Sequence, residues 1–181
     1  MKNQPRWTTE PHDAKEALAR AQSQTRFGKY VLGAGGFHPE TSNPSSPHWQ
    51  TGKVGCDCSG FVLWCWGVSR VQRAPDGTDH INTDWLVADA RGAHKRVMLV
   101  DLPSPGDAVV FAGHRTKEGK RKIGHMGIIV SASGGMGSIF ERMRVIHCSA
   151  GNFRRFGYAV AETDGQVFNG GKDTIFVRPL R

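Results

Sequence analysis

Residues 55–67 read GCDCSGFVLWCWG, and the fold is built around this stretch. From Ser59 to Val68 the residues are apolar around the whole circumference of a helix, which is typical of a helix buried in the middle of a domain. A buried strand is the alternative for so short a run. The glycine- and proline-rich residues 33–55 come directly before it and exclude a regular element there. The sequence therefore predicts a central helix that begins next to Cys58, at the end of a long loop.

Cys58 is the residue of this stretch with the clearest chemical potential. A cysteine at a helix N-terminus feels the positive end of the helix dipole and nearby unpaired N–H groups, and both lower the pKa of the thiol. The thiolate is the nucleophilic form, and it needs a general base or an ion-pair partner. A single cysteine is otherwise a small hydrophobic core residue. The assignment of Cys58 as a nucleophile therefore depends on a partner elsewhere in the chain.

Two histidines in strand-like runs are the candidate partners. His125 opens the run HMGIIVS, and His147 closes the run MRVIHCS. If these runs are adjacent antiparallel strands, the two imidazoles lie side by side, one as the base and the other as the residue that orients it. A core histidine bonded to the backbone is the alternative for His147. The sequence thus predicts a cysteine and two histidines that only tertiary folding brings together.

The rest of the chain has helices first and strands afterwards. Asp13 and Glu16 resemble a capping box, and the apolar spacing that follows predicts a helix ending near Arg26. Residues 1–12 are predicted to form a flexible arm, and residues 13–181 a single domain. This order predicts an α+β fold with N-terminal helices packed on a central antiparallel sheet. The predicted strands are Val97–Asp101, Asp107–Phe111, His125–Ser131, Met143–Ser149 and Thr174–Arg178.

The chain of 181 residues is basic, since 24 Lys and Arg against 16 Asp and Glu leave a net charge of +8. This charge predicts a polyanionic partner, for which nucleic acid, an anionic membrane and the bacterial cell wall all qualify. No nucleic-acid module is recognisable, and no apolar stretch approaches the ~20 residues of a transmembrane helix. Residues 113–124, GHRTKEGKRKIG, are predicted to form a basic hairpin before His125, either a binding element or a solvated loop.

Several motifs follow one another in a fixed order along the chain. They are a helix followed by Tyr30 and Gly35-Gly36, DCSGFV at 57–62, PGDAVVF at 105–111, GHMGIIV at 124–130, and VIH at 145–147. This order resembles the NlpC/P60 family of cysteine peptidases, whose members cut the peptide stems of bacterial peptidoglycan. The DCSGFV string matches the family's nucleophile motif without a mismatch, and the order of the motifs makes the resemblance specific.

The resemblance implies a papain-like NlpC/P60 fold and the activity of a cysteine endopeptidase or amidase. It implies Cys58 as the nucleophile, His125 as the base and His147 as the residue that orients the base. The pair is expected to start as thiolate and imidazolium, and backbone N–H groups near Cys58 are expected to hold the oxyanion. His125 then protonates the leaving amine, and water hydrolyses the acyl-enzyme.

The resemblance also implies a substrate site lined by Asp57, Ser59 and Tyr30. In the family, the aspartate before the cysteine helps to hold the free amine of the first stem residue, because a carboxylate beside an ammonium favours both charges. The implied scissile bond joins the side-chain carboxyl of D-glutamate to the diamino acid of the stem. Bacterial peptidoglycan is thus the implied partner, and a cognate immunity or inhibitor protein is left open.

The sequence predicts no cofactor, no metal and no specific nucleic-acid partner. Cys56, Cys58, His147 and Cys148 lack the usual spacing of zinc ligands. Cys56 and Cys148 are a potential disulfide in an oxidising compartment, but the sequence does not define their geometry. The N-terminus shows no recognisable signal peptide. A protein made in the cytoplasm is therefore expected to reach the wall or periplasm by specialised secretion, by lysis or with a phage particle.

Three functions are compatible with these residues. The first is a peptidoglycan hydrolase that acts as an interbacterial effector or a phage-associated enzyme. The second is a toxin of the same fold that acts on a host protein as a protease, deamidase or acyltransferase through the same cysteine and histidine. The third is a non-catalytic wall-binding component with a degenerate site, against which the retained Cys58, His125 and His147 argue.

Overall fold

The computed structural model describes residues 13–36, 55–70, 81–92, 96–134, 137–171 and 173–180. The predicted arm at residues 1–12 and most of the predicted loop at 33–55 lie outside these ranges. In chain order the described elements are α1 (Ala14–Ser23), α2 (Cys58–Trp66), α3 (Thr83–Ala90), β1 (Val97–Leu99), β2 (Ala108–Phe111), β3 (His114–Arg115), β4 (Arg121–Lys122), β5 (His125–Ala132), α4 (Ile139–Arg142), β6 (Met143–Cys148), α5 (Ala150–Phe156), β7 (Val160–Asp164), α6 (Gln166–Asn169) and β8 (Ile175–Pro179).

The main sheet has six strands in the order β1-β8-β2-β5-β6-β7, and every neighbouring pair is antiparallel. This confirms the predicted α+β class with a central antiparallel sheet. Each of the five predicted runs overlaps an observed strand, whereas β7 was not predicted because its sequence, VAETD, has only a weak apolar alternation. β3 and β4 pair separately as the basic hairpin that was predicted at 113–124.

Helix α1 is capped as predicted, because the Asp13 side chain accepts hydrogen bonds from the amides of Lys15 and Glu16. The helix ends at Ser23, and the predicted end near Arg26 is wrong. Arg26 has a φ of 66°, in the left-handed region, which cannot continue a right-handed helix. The buried side of the helix carries small alanines, which allow it to pack closely against α2.

Helix α2 is buried along its whole length, so the helix rather than the buried strand is confirmed. Asp57 caps its first turn, and Gly67 ends it with a φ of 67°, a conformation that glycine adopts at little cost. The helix packs on β5 and β6, with Phe61, Leu63 and Trp64 among the largest fully buried side chains. This packing presents the first residue of the helix to the beginning of β5.

The other face of the sheet carries a second, smaller core. It is formed by Val109, Ile129, Met143, Val145 and Phe168, the last of them from α6. Because side chains alternate between the faces of a strand, His125 and His147 share this face with Ile129 and Val145. The centre of the sheet is therefore covered on both sides, and the two histidines lie next to the second core, His125 at the start of β5 and His147 near the end of β6.

Candidate active site

Cys58 is the first residue of α2, as predicted, and its sulfur lies against the start of β5. Its Sγ atom is 4.0 Å from the carbonyl oxygen of Gly124. The backbone N–H groups of Met126 and Ser59 donate hydrogen bonds that favour the thiolate. The sulfur is thus held by the residues on either side of His125. The structure therefore brings Cys58, which is 67 positions from His125 in the sequence, against the backbone on both sides of that histidine.

The two predicted histidines are hydrogen-bonded to each other. The Nε2 atom of His125 is 2.8 Å from Nδ1 of His147, and the rings meet edge to face. The Nε2 atom of His147 is in turn 3.0 Å from the hydroxyl oxygen of Thr163. The structure therefore joins His125 and His147 in one series of hydrogen bonds and adds Thr163, from the edge strand β7. Cys58 lies against the backbone of Gly124 and Met126, the residues next to His125.

The direction of these hydrogen bonds follows from the one that Thr163 donates. The hydroxyl of Thr163 donates to the carbonyl oxygen of Asp164 at 2.8 Å, so its oxygen accepts a hydrogen bond from Nε2–H of His147. The Nδ1 atom of His147 then carries the lone pair, and His125 donates from Nε2–H. It follows that Nδ1 of His125 is unprotonated. This series of hydrogen bonds thus selects the tautomer of His125 whose Nδ1 atom can accept a proton.

Two neighbouring residues make room for the histidine pair and hold its rings. A Cβ atom on Gly127 would lie 2.8 Å from Cβ of His147 and 2.5 Å from Cγ1 of Val145, so only glycine permits this close approach. The ring of Phe168, which is fully buried, stacks on His125 with centroids 5.2 Å apart and planes 12° apart. The ring of His125 is therefore fixed between a hydrogen bond and an aromatic surface.

Burial determines the protonation states of the resting site. Burial lowers the pKa of His125 to about 3 and that of His147 to about 4, and the charge of His147 further opposes a charge on His125. Burial also raises the pKa of Cys58 to about 12, with a smaller contribution from the negative charge of Asp57. The predicted low pKa of Cys58 is therefore wrong. The helix dipole contributes only ~0.3–2 kcal/mol, less than the several kcal/mol that burying an ion costs.

The resting pair is consequently a neutral thiol and a neutral imidazole, rather than the expected thiolate and imidazolium. In this state the unprotonated Nδ1 atom of His125 has the form that a general base requires.

Acid should destabilise the folded protein because these histidines are buried in their neutral form. In the unfolded chain each takes up a proton near its ordinary pKa of 6.5, whereas in the folded protein they stay neutral down to about pH 4 and pH 3. The unfolded state thus binds more protons in this window, so the free energy of unfolding falls as the pH drops from about 6.5 towards 3. We expect a loss of roughly 3 kcal/mol or more in urea denaturation between pH 7 and pH 4.5. The His147→Gln variant should lose less over the same range, and a wild-type stability that does not change would contradict the buried neutral pair.

Arg70, which lies outside the motif, neutralises the carboxylate of Asp57. The two side chains form a bidentate ion pair, with NH1–Oδ1 at 2.8 Å and NH2–Oδ2 at 2.7 Å, and each is 4% exposed. Oδ2 also accepts from the amide of Gly33, and Oδ1 from the amide of Gly60 and the hydroxyl of Ser59. Both carboxylate oxygens of Asp57 are thus already hydrogen-bonded and its charge is balanced by Arg70, which disfavours the implied contact with a substrate ammonium group. Asp57 instead ties the first turn of α2 to residues 33–36.

Ser59 and Tyr30 are brought to the site in different ways. The hydroxyl of Ser59 bonds both Asp57 and Arg70 and is nearly buried. Tyr30 pairs with Cys56 through the backbone and is half-buried. Its pKa is raised chiefly by burial and then by the charges of Cys58 and Asp57, which lie nearby. Tyr30 is therefore a neutral hydroxyl near Cys58, and its role in a substrate site stays a prediction.

A cleft of about 440 Å³ lies in front of Cys58. Asp84 at the start of α3 is exposed, and its Oδ1 accepts a hydrogen bond from the amide of Gly113 at 2.6 Å. Arg121 of the basic hairpin is also exposed, so the cleft has one exposed charge of each sign beside apolar Ile123 and Leu32, in addition to the buried pair of Asp57 and Arg70. The hairpin is thus part of the site. The cleft is lined by Leu32, Gly33, Asp57, Cys58, Ser59, Arg70, Asn82, Thr83, Asp84, Gly113, Arg121, Ile123 and Gly124.

Three residues that support the site, Thr163, Asn152 and Arg70, have no recognisable motif in the sequence. Thr163 lies diagonally across from His147, which pairs with Ala161, and such diagonal residues share a face of the sheet. It can be found only after β7 is placed. Asn152 of α5 donates to the carbonyl oxygen of His147 at 3.0 Å and fixes its backbone. Arg70 follows α2 without a motif of its own.

Thr163 should affect the rate of the reaction through His147. In Thr163→Val the side chain keeps its shape but cannot accept the hydrogen bond from Nε2–H of His147. We expect a decrease of roughly tenfold in kcat, the value of one hydrogen bond, with KM little changed. Thr163→Ser retains the acceptor and should keep most of the activity. Histidine ¹⁵N chemical shifts should show the tautomer of His147 altered in the valine variant only. Equal kcat values for Thr163→Val and Thr163→Ser would show that the hydrogen bond from His147 to Thr163 does not affect the reaction.

Comparisons with known proteins give no match for this chain: no protein-family model fits it, and neither curated proteins nor solved structures include a similar one. Within the described ranges, no helix has the length and apolar character needed to cross a membrane. The same ranges contain no group of three or more His, Cys, Asp or Glu side chains arranged to hold a metal ion.

Proposed function

We propose that this protein is a cysteine endopeptidase or amidase with a papain-like NlpC/P60 fold, which hydrolyses peptide stems of bacterial peptidoglycan. The observation that carries the proposal is the directed chain from Thr163 through His147 to His125. It leaves an unprotonated Nδ1 on a histidine whose neighbours, Gly124 and Met126, hold the sulfur of Cys58. A histidine that served only the core would not need this arrangement beside a thiol at a helix N-terminus.

The reaction begins with a neutral thiol and a neutral imidazole. As Sγ of Cys58 attacks the amide carbonyl carbon, Nδ1 of His125 accepts the thiol proton. His147 keeps its hydrogen bond to Nε2–H and stabilises the imidazolium without taking a proton. The amide of Cys58, at the first position of α2 where helices leave N–H groups unpaired, holds the oxyanion.

The tetrahedral intermediate collapses when the leaving amine takes the proton from His125. This step breaks the carbon–nitrogen bond and leaves a thioester on Cys58. Water then attacks the thioester carbonyl while His125 removes one of its protons, and that proton returns to the sulfur. The products are a carboxylate and an amine, and the enzyme is restored to its neutral pair.

The proposed bond joins the side-chain carboxyl of D-glutamate to the diamino acid of the stem. A stem peptide has both carboxylate and ammonium groups, and the cleft offers Arg121 and Asp84 as exposed charges of opposite sign. Because Arg70 occupies Asp57, we assign the ammonium contact to Asp84. The net charge of +8 favours association with an anionic cell wall. Delivery to the wall by specialised secretion, by lysis or with a phage particle belongs to the same proposal.

Mass spectrometry of the soluble products from purified peptidoglycan tests this function. Sacculi with different diamino acids are incubated with the wild-type protein and, as a control, with Cys58→Ala. We expect fragments that end in D-glutamate with a free side-chain carboxyl, together with fragments that begin at the diamino acid. Cleavage between sugars, or no cleavage of any wall by a protein whose Cys58 reacts with thiol probes, would overturn the proposal.

A further inference from the structure

Cys56 and Cys148 place two buried thiols in contact outside the catalytic chain. Their sulfur atoms are 3.4 Å apart, although the residues are 92 positions apart in the sequence. Both are free thiols with no exposed surface. The thiol of Cys148 also donates to the carbonyl oxygen of Cys56 at 3.2 Å. Two sulfur atoms are thus held next to each other in a position that the proposed reaction does not use.

The position of these thiols links the two halves of the site. Cys56 lies two residues before the nucleophile Cys58, and Cys148 directly follows His147. The backbone around Cys56 is held by residues 29–31, because its amide donates to Lys29 and its carbonyl accepts from Val31. A bond between the sulfurs would join the start of α2 to the end of β6.

We propose that Cys56 and Cys148 form a disulfide when the protein folds in an oxidising compartment. A disulfide needs an S–S distance of about 2.05 Å, so the sulfurs must approach by roughly 1.4 Å, which side-chain rotation and small backbone shifts supply. The bond leaves Cys58 free for catalysis. Only the choice of compartment rests on the proposed function, because a wall hydrolase acts outside the reducing cytoplasm.

The oxidant is a small-molecule disulfide such as oxidised glutathione. One cysteine thiolate attacks a sulfur of this disulfide, forms a mixed disulfide and releases one glutathione. The second cysteine thiolate then attacks the mixed disulfide, closes the Cys56–Cys148 bond and releases the second glutathione. The two cysteines lose two electrons, and the two glutathiones retain them. Because both thiols are buried, this exchange takes place while the chain folds.

Disulfide mapping of the wild-type protein tests the proposal without an activity assay. The protein is unfolded in denaturant and refolded either with reduced and oxidised glutathione or with a reducing agent alone. Remaining thiols are alkylated after denaturation. Digestion with trypsin and with a protease that cuts before aspartate separates Cys56 from Cys58. We expect a loss of 2 Da and a peptide of residues 54–56 linked to residues 145–154.

Thermal unfolding provides a second readout with matched variants. Closing a loop of 92 residues should raise Tm by roughly 10 °C over the reduced protein. Cys56→Ala and Cys148→Ala should lose this difference between oxidised and reduced samples, whereas Cys65→Ala should retain it.

The proposal is overturned if all four thiols remain free after oxidative refolding, or if the bond involves Cys58 or Cys65. Neither result depends on whether peptidoglycan is cleaved. Failure of this inference is therefore distinct from failure of the proposed function.

Discussion

Cys58→Ala is expected to abolish release of stem fragments from peptidoglycan, with a decrease in kcat of about 10⁴-fold or more. The variant has no atom that can form the acyl-enzyme, and His125 has no thiol proton to accept. Because Cys58 is a small side chain at the start of α2, its replacement by alanine should leave the fold and Tm nearly unchanged. The measurement is the rate of fragment release by mass spectrometry, together with thermal unfolding.

Cys65→Ala is the matched control for this prediction. Cys65 lies in the same helix and is also buried, but it has no contact with the histidines in the proposed mechanism. This variant should keep wild-type activity, so a general effect of removing sulfur from α2 is separated from loss of the nucleophile. Fragment release by Cys58→Ala at the wild-type rate would show that the thiol takes no part in the reaction.

Arg70→Met is expected to cause the largest loss of stability, about 3–5 kcal/mol in the free energy of unfolding. The substitution leaves the Asp57 carboxylate buried without its ion-pair partner and removes the hydrogen bonds from Arg70 to the carbonyls of Ala34 and Gly35. Gly60 belongs to the same contact, since a Cβ atom there would lie 2.6 Å from NH1 of Arg70. Urea denaturation at neutral pH measures the loss.

A double-mutant cycle separates the buried charge from the lost packing. Asp57→Asn combined with Arg70→Met removes both charges, so the double variant should be more stable than Arg70→Met alone. Arg144→Met is the control for losing any ion pair, because Arg144 and Glu162 are 48% and 37% exposed and should contribute less than about 1 kcal/mol. If Arg70→Met is no less stable than Arg144→Met, the Asp57–Arg70 pair is not the clamp that holds the start of α2.

The local elements were predictable because their signals lie within a few residues of one another. Asp57 before an apolar run and Gly67 after it mark the two ends of α2, and Asp13 marks the start of α1. The alternating runs around His125 and His147 likewise indicate their strands. The end of α1 was missed because the left-handed conformation of Arg26 is imposed by tertiary contacts, among them the hydrogen bond from its amide to Val160.

The candidate site was predictable in part for the same reason. Cys58, His125 and His147 stand at the ends of elements that the pattern already indicates. Thr163 was not found, because it belongs to an edge strand with weak alternation and meets His147 only through the register of β6 and β7. The ion pair of Asp57 was not found for a similar reason, since a motif does not show that an arginine outside it will neutralise its carboxylate.

The sequence alone was sufficient to predict the α+β class and the central helix and to select Cys58, His125 and His147 as candidate site residues. These predictions depend on short-range periodicity and on residue type. Tertiary structure decided the protonation state of that cysteine and those histidines. Burial raises the pKa of Cys58 and lowers the pKa of His125, against the expectation from the helix dipole. It also decided the tautomer of His125 and the contact of Cys56 with Cys148. Desolvation and hydrogen-bond direction depend on which residues surround a group in space, and those neighbours come from distant parts of the chain.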